Sequence, residues 1–284
     1  MAKMFLLLVL LLTPLVSYGF GKTGHQLICA LAWQQLSADT RQWATDILNA
    51  NPDKGASKDF IAGCLWPDES KYGSHRSTYE QHFINIEPQA TKILLSRDCL
   101  ALDCLPVGIQ RNMVYLQQTA GGKREQQRQA EALMFLGHYI GDLHQPLHVS
   151  HAQDWGGNRI RVQWFGESSN LHAIWDSGLL EKAGLSYPGS LSYLQKIRIN
   201  ELSTSPHAWM TDAWQLALNN AYRSSQGEPI KSGDKLADDY FQANKPVIML
   251  QIALAGQRLA WLLNQLAAGK PLPVLMPENG SQTE

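Results

Sequence analysis

Hydrophobic residues recur at helical spacing along most of the chain. Residues 24–36 are almost continuously apolar, which predicts a buried helix. Trp43, Ile47 and Leu48 indicate an amphipathic helix that opens at Asp39 or Thr40 and stops before residues 51–52. The same spacing predicts further helices from residue 106 towards the glycine pair 121–122, over 125–143, around 209–217 and over about 234–266, where residues 245–246 introduce a kink or a break.

One short segment has the alternation of a strand instead. Ile160, Val162 and Trp164 point to one side of an extended chain, directly after a turn-rich stretch. The pattern therefore predicts a mainly α protein, a single helical domain with a small β-hairpin element. Charged residues within 234–258 argue against a membrane span in the last helix, and residues 270–284 should form an irregular tail.

The N-terminal segment has the three parts of a secretory signal peptide. Lys3 precedes an apolar run over residues 5–16, and small residues stand at 17 and 19. A bilayer core needs ~20 apolar residues, so this run, interrupted by Pro14, is too short to be a retained anchor. We expect cleavage after Gly19, a mature domain over residues 20–284 that begins at Phe20, and a periplasmic or extracellular location.

Charge restricts how this chain could bind phosphate. The sequence has 24 basic and 25 acidic side chains, and removal of residues 1–19 takes one lysine, which leaves 23 against 25. A near-neutral mature chain argues against binding through a broad basic surface. If the substrate carries phosphate, another source of positive charge is needed, and a metal cluster would provide it.

The cysteines predict disulfides rather than a metal site. Four cysteines in an exported chain favour two bonds. Cys99 and Cys104 are close enough to close a small loop, which leaves Cys29 to pair with Cys64. No Cys-x2-Cys pair occurs, so a zinc-thiolate site is not expected.

Histidines and aspartates recur four residues apart. His138 precedes Asp142 by four, and His172 precedes Asp176 by four, which places each pair on one helix face. Such a pair is more often a surface ion pair, but both lie in strongly apolar segments, where buried charge is costly unless paired or bound to metal. Imidazole and carboxylate groups suit zinc. Five histidines lie in segments that also supply carboxylates, namely His25, His82, His138, His148 and His172.

A longer string containing these pairs resembles the signature of the secreted, trinuclear-zinc, single-strand-specific nucleases. It runs Phe135-Leu-Gly-His138-Tyr-Ile-Gly-Asp142-Leu-His144-Gln-Pro146-Leu-His148-Val. The family's other hallmarks occur in order: Phe20-Gly-Lys-Thr-Gly-His25, Leu65-Trp66-Pro67-Asp68, His82-Phe83-Ile84-Asn85, Asp154-x-Gly156-Gly157-Asn158, Asn170-Leu171-His172-x-x-Trp175-Asp176 and Ala255-Gly256-x-Arg258-Leu259-Ala260.

The resemblance implies three zinc ions. One would be held by Asp68, His82, His138 and Asp142. A second would take His25, a bridging Asp142, and the free α-amino group and carbonyl of Phe20; a third would take His148, His172 and Asp176. Because the Phe20 amine is free only after cleavage, export would control assembly of the site. His144 is expected to support the ligands without binding metal.

The resemblance also implies a reaction. Two zincs would lower the pKa of a shared water, and the hydroxide would attack phosphorus with help from Asp68. The third zinc would stabilise the departing 3′ oxygen, which gives 5′-mononucleotides. Lys71, where the family commonly has Arg, is expected to contact phosphate without the bidentate fork of arginine.

The expected substrates are single-stranded DNA and RNA and 3′-mononucleotides. Phe83 stands where the family stacks a base, although a core phenylalanine remains an alternative, and Asn85 and Asn158 are predicted to contact substrate. Asn85 replaces a common Asp, and Phe20 replaces a common Trp. We expect a monomer that does not associate with membranes.

Two other functions compete with this hypothesis. Zinc-dependent phospholipase C resembles the same fold and also has three zincs, but it has a wider gap before its first histidine and a Glu in the last His-x3 pair. Here the gap from Phe20 to His25 is five residues, and the pair closes with Asp176. A non-catalytic periplasmic zinc-binding protein is the second alternative, and such carriers use flexible His-rich tracts.

Overall fold

The computed structural model describes residues 20–271, and helices make up most of that stretch. The predicted signal segment and nearly all of the predicted tail lie outside the described residues. The α-helices are α1 (Gly21–Gln35), α2 (Ala38–Ala50), α3 (Phe60–Gly63), α4 (Trp66–Ser70), α5 (Leu95–Asp98), α6 (Leu105–Gln117), α7 (Lys123–His144), α8 (Leu171–Ala173), α9 (Leu179–Lys182), α10 (Leu191–Leu194), α11 (Pro206–Leu216) and α12 (Asp238–Ala267).

Short irregular helices connect several of these elements. Three have 3-10 geometry, at Arg76–His82, Leu100–Leu102 and Pro146–His148, and two are π-helical turns, at Ile174–Gly178 and Ala217–Ala221. Single π-helical turns occur often at functional sites. The turn at Ile174–Gly178 is of interest because it carries Asp176, one of the predicted ligands.

Two small sheets accompany the helices. Strands β1 (Ile84–Ile86) and β2 (Val149–His151) pair in parallel, with Ile84 opposite Val149. Strands β3 (Arg161–Trp164) and β4 (Glu167–Asn170) form an antiparallel hairpin, and β5 (Lys235–Leu236) pairs with β3 in parallel. The predicted mainly α fold with a β-hairpin element is confirmed.

The core lies where the long helices meet. Helix α1 packs against α12, and α7 packs against α6 and α12. By length and composition alone α12 could span a membrane, but 67% of its apolar window is buried inside the protein. Burial of that extent is typical of the central helix of a folded domain, and the hydrophobic residues of α12 cover those of α1 and α7.

Local chemistry explains where the predicted boundaries were wrong. Helix α2 opens earlier than Asp39, because the Ser37 hydroxyl accepts a hydrogen bond from the Thr40 amide and caps the helix. Helix α12 begins at Asp238, since the preceding Lys235–Leu236 pairs with the hairpin. Pro246 lies inside α12 without dividing it.

Both predicted disulfides are confirmed. Cys29 in α1 is bonded to Cys64 at the end of α3, and Cys99 is bonded to Cys104. The first bond joins segments 35 residues apart, whereas the second closes a loop with a separation of only 5. The long-range bond therefore fixes α1 against the segment that leads into α4.

Candidate metal centre

The predicted side-chain ligands come from seven elements of the chain and converge in the core. Helix α7 runs through the middle of the site, with His138 and Asp142 on one face. The other side chains lie around it: His25 on α1, Asp68 on α4, His82 at the end of the 3-10 turn Arg76–His82, His148 at the end of the 3-10 turn after α7, His172 on α8 and Asp176 in the π-helical turn. All eight side chains are buried.

Four of these side chains bring one donor atom each to a common point. His138 Nε2 lies 3.1 Å from His82 Nδ1, 3.2 Å from Asp142 Oδ2 and 3.4 Å from Asp68 Oδ1. His82 Nδ1 lies 3.0 Å from Asp142 Oδ2 and 3.6 Å from Asp68 Oδ1. A tetrahedral site with bonds of ~2.0 Å has ligand–ligand edges of ~3.3 Å, so the spacings among His82, His138 and Asp142 suit one zinc-sized ion, and Asp68 lies within 3.6 Å of both histidines.

Asp142 lies between this group and two further histidines. While Oδ2 faces His82 and His138, Oδ1 lies 3.4 Å from His25 Nε2 and 3.5 Å from His148 Nδ1. A carboxylate with one oxygen on each side can bridge two cations. The His25 ring is stacked on His138 at 3.9 Å, so His25 reaches the group formed by Asp68 and His138 as well.

The third predicted ligand set also converges. His172 Nε2 lies 3.3 Å from Asp176 Oδ2, and His148 Nε2 lies 3.7 Å from Asp176 Oδ1. The other nitrogen of each ring is held by backbone: His172 Nδ1 is 2.6 Å from the Gly156 carbonyl, and His148 Nδ1 is 2.6 Å from the His82 carbonyl. Carbonyl acceptors of this kind fix the tautomer and leave Nε2 for a metal.

Several buried polar atoms at this centre fit a bound cation. His25 Nε2, His148 Nε2 and Asp142 Oδ1, each facing another predicted ligand, make no hydrogen bond within residues 20–271. Buried polar groups are rarely left unpaired, because desolvation without a partner costs about 1–3 kcal/mol each. Their clustering in one place is best explained by positive ions as the intended partners.

Two glycines make this convergence sterically possible. A Cβ on Gly141 would lie 2.7 Å from His25 Nδ1, so α7 can approach the His25 ring only because no side chain stands there. Gly156 has φ +60°, and a Cβ would lie 2.3 Å from the Leu147 carbonyl oxygen. Because Gly156 has no side chain, its backbone can adopt the conformation in which its own carbonyl orients His172.

The carboxylates make the centre favourable for positive charge. Burial lowers the pKa of His138, but the neighbouring Asp142 and Asp68 outweigh burial and raise that pKa to about 10. His82 has the opposite balance: burial lowers its pKa to about 4, although Asp142 opposes the change. The two carboxylates thus favour positive charge at this point, and a metal ion bound there would compete with a proton on His138.

Comparison with known proteins connects this centre to one family. The family model described as S1/P1 Nuclease matches residues 20–268. The chain belongs to the S1/P1 nuclease family. It is 33% identical to Endonuclease 2 of Arabidopsis thaliana over 270 residues, which cover 88% of this chain and 91% of that protein. It is 29% identical to Nuclease S1 of Aspergillus oryzae (89% and 93% covered) and 28% identical to Nuclease P1 of Penicillium citrinum (87% and 97%).

In this S1/P1 family member, Lys71 is tied to a predicted ligand. Its ammonium lies 2.6 Å from Asp68 Oδ1, and only 4% of the residue is exposed. Burial lowers the pKa of Lys71, but the attraction of Asp68 outweighs burial and raises it. Lys71 is therefore charged and lies beside Asp68, a predicted metal ligand.

Gln145 contacts a predicted ligand, which the sequence did not reveal. Its side-chain amide donates to Asp176 Oδ1 at 2.6 Å, and its carbonyl oxygen accepts from the Leu147 amide at 2.6 Å. It stands inside the signature string, but nothing in its residue type indicated this contact. Gln145 thus links the end of α7 to a ligand on the π-helical turn.

His144 does not support the ligands as predicted. Its Nδ1 donates to the Ile140 carbonyl at 2.7 Å, and its Nε2 accepts from Arg258 Nη1 at 2.9 Å. On α7, position 144 faces α12 rather than the metal groups, which explains why the adjacent Gln145 has the supporting contact. Arg258 also lies 3.5 Å from Asp212, so this pair joins α7 to α12 and α11.

The predicted substrate residues lie in two segments, around β1 and in the loop that carries Asn158. Phe83 directly follows His82, is half-buried, and contacts the Tyr79 ring edge-on at 5.9 Å. Asn85 lies in β1 opposite Ser150, and the Asn158 amide donates to the Trp155 carbonyl in its own loop. Trp155 is 59% exposed on the loop whose Gly156 orients His172, which makes it a further aromatic surface near the site.

Proposed function

We propose that this protein is a zinc-dependent endonuclease and 3′-nucleotidase. It hydrolyses the phosphodiester bonds of single-stranded DNA and RNA to 5′-mononucleotides. The observation that carries the proposal is the convergence of buried donors at His82 and His138, to which Asp68 and Asp142 approach within 3.0–3.6 Å, in a chain of the S1/P1 nuclease family.

Three sets of residues would hold the zinc ions. The first ion would be held by the four residues just named, the second by His25, Asp142 and the amine and carbonyl of Phe20, and the third by His148, His172 and Asp176. When bound, the ions supply Lewis-acid chemistry, in which they neutralise phosphate oxygens and lower the pKa of water towards neutrality. Such charge would explain how a nearly neutral chain binds a polyanion.

The protein's own groups orient the phosphate around that charge. Asp68 holds the Lys71 ammonium at 2.6 Å beside the first ligand set, where Lys71 would donate a hydrogen bond to a phosphoryl oxygen as negative charge develops. Gln145 and the Gly156 carbonyl keep Asp176 and His172 in place, which fixes the third set on the side of the departing 3′ oxygen.

Preference for single strands follows from the aromatic groups. Phe83 and Trp155 offer ring faces on which an unpaired base can stack, which is worth about 1–3 kcal/mol per base. A base inside a duplex is covered on both faces and cannot reach them without being flipped out. Asn85 and Asn158 would contact the stacked nucleotide.

The N-terminus connects location with assembly. A free amine at Phe20 requires removal of residues 1–19, so we infer that the chain is exported, cleaved after Gly19, and active in the periplasm or outside the cell. The single domain then works as a monomer. Phe20 is buried where α1 begins, and its carbonyl accepts from the Gly24 amide at 3.1 Å.

The test is a substrate panel combined with metal counting. The purified exported protein should contain three zinc ions, cleave single-stranded DNA and RNA, and release phosphate from 3′-mononucleotides. Chelation should abolish all three activities, and zinc should restore them. The Asp142→Asn variant should bind less metal and be more than ~100-fold less active. The Asp46→Asn variant, with the same change on an exposed face of α2, should keep both its metal content and its activity.

The competing functions give different results in the same panel. Hydrolysis of phosphatidylcholine without cleavage of nucleic acid would identify a phospholipase C and reject the proposal. Three bound zincs with no turnover of any substrate would identify a zinc-binding protein instead.

A further inference from the structure

A cavity of about 410 Å³ opens beside the metal centre. Its volume is in the range of sites that bind small molecules. Helices α1, α4 and α9 and the π-helical turn provide its walls, which comprise Phe20, Gly21, Lys22, Thr23, Leu65, Asp68, Glu69, Asp176, Ser177, Leu180, Glu181 and Leu185.

The cavity adjoins the proposed reaction site through two predicted ligands. Asp68 of the first ligand set and Asp176 of the third both line it. Phe83 does not line it. The cavity and the predicted stacking residue are therefore separate places next to the same phosphate position.

Two nucleosides flank every phosphate that is cut in a nucleic acid chain. Phe83 follows His82, whose carbonyl holds His148 of the third set, and β1 begins one residue later against β2. Phe83 is thus connected through the His82 carbonyl to the third set, where the proposed 3′ leaving group would depart. The nucleoside that keeps the 5′-phosphate therefore requires a second binding site.

The chemistry of the cavity matches a neutral nucleoside. Leu65, Leu180 and Leu185 give it apolar surface for a base or sugar, while the Glu69 and Glu181 carboxylates face it with only Lys22 as a nearby cation among the lining residues. Because the Glu69 and Glu181 carboxylates are opposed by only the Lys22 ammonium, binding of a second phosphate group in the cavity is unfavourable. Hydroxyl and carboxylate oxygens can accept hydrogen bonds from sugar hydroxyls and base amino groups.

We propose that this cavity binds the nucleoside on the 5′-phosphate side of the cut. The inference rests on the proposed function and adds a second nucleoside subsite to it. The substrate then crosses the metal centre from Phe83 to the cavity. A 3′-mononucleotide has a leaving nucleoside and a phosphate but nothing to fill the cavity, whereas a dinucleoside monophosphate fills both places.

The difference between these two substrates is the basis of the test. Leu185→Trp places a larger side chain just beyond the end of α9, where Leu185 is half-buried and binds no predicted metal. It should raise KM for a dinucleoside monophosphate about tenfold, the equivalent of losing one base contact. KM and kcat for the matching 3′-mononucleotide should not change.

Two further variants complete the design. Leu250→Trp makes the same substitution in a different groove, beside Tyr193 and Met249, and should alter neither substrate. Leu185→Ala removes apolar surface without adding bulk, so it should raise the dinucleotide KM by a smaller factor. This variant tests the inference even if Leu185→Trp does not fold.

The outcomes separate the inference from the function on which it rests. An unchanged dinucleotide KM in both Leu185 variants, or an equal change for both substrates, would overturn the subsite. No hydrolysis of either substrate by the unaltered protein would instead reject the proposed nuclease.

Discussion

Removal of the Cys29–Cys64 disulfide should weaken metal binding as well as folding. Cys29 lies one helical turn after His25 in α1, and Cys64 lies four residues before Asp68. The backbone carbonyl of Cys64 also accepts a hydrogen bond from His138 Nδ1 at 2.8 Å. The three predicted ligands that this bond connects form one of the groups able to hold a metal ion.

Helix α7 is fitted tightly against the same bond. A Cβ on Gly137 would lie 2.6 Å from Cys64 Sγ and 3.3 Å from Cys29 Sγ, and His138 is the next residue. When the disulfide is lost, α1, α4 and α7 can move relative to one another, and the three donors no longer stay within reach of one ion.

The loss of stability can be estimated from the two loops. In the chain-entropy model, a bond across 35 residues is worth about 4 kcal/mol and a bond across 5 residues about 2 kcal/mol. The double variant Cys29→Ala, Cys64→Ala should therefore lose about twice the free energy of unfolding lost by Cys99→Ala, Cys104→Ala. The second variant is a matched control, because it removes a disulfide that joins none of the predicted metal ligands.

Denaturant unfolding of the chelated proteins measures the loss of unfolding free energy, and competitive zinc titration measures the loss of zinc affinity. We expect weaker zinc binding only in the Cys29, Cys64 variant. Equal losses of unfolding free energy in the two variants would contradict the loop estimate. Unchanged zinc affinity in the Cys29, Cys64 variant would refute the structural link between the disulfide and the metal centre.

Three further predictions concern single positions. Gln145→Leu removes the hydrogen bond to Asp176, so one zinc should bind about 10–100-fold more weakly in competition with a chelator, with the others unaffected. Burial, aided by the Arg258 charge, lowers the pKa of His144 from 6.5 to about 3. As the pH falls, the imidazole at position 144 is protonated in the unfolded chain before it is protonated in the folded protein. The free energy of unfolding should therefore have its full value above pH 6.5 and fall by up to ~1.4 kcal/mol per pH unit towards pH 3. His144→Gln should reduce this slope in unfolding measurements. One extra residue retained before Phe20 should cost activity and one zinc by metal analysis; full activity would exclude the amine as a ligand.

Much of the fold follows from short-range features of the sequence. Helical spacing located the long helices, and the apolar setting of His138 and Asp142 indicated a buried metal site before any contact was known. The nearer cysteine pair could be assigned from separation alone, which left only one partner for Cys29. These inferences succeed because periodicity, burial cost and loop closure each act over a few turns of chain.

The arrangement of the site depends on contacts between distant segments. Which oxygen of Asp142 faces which histidine, and the supporting role of Gln145 in place of His144, follow from how α7 packs against α1, α12 and the π-helical turn. The cavity beside Asp68 and Asp176 likewise exists only once α1, α4 and α9 are assembled. The sequence determined which chemical groups are present and on which helices they lie. Only tertiary packing decided which donors share an ion and where a substrate can enter, because both depend on distances between residues far apart in the chain.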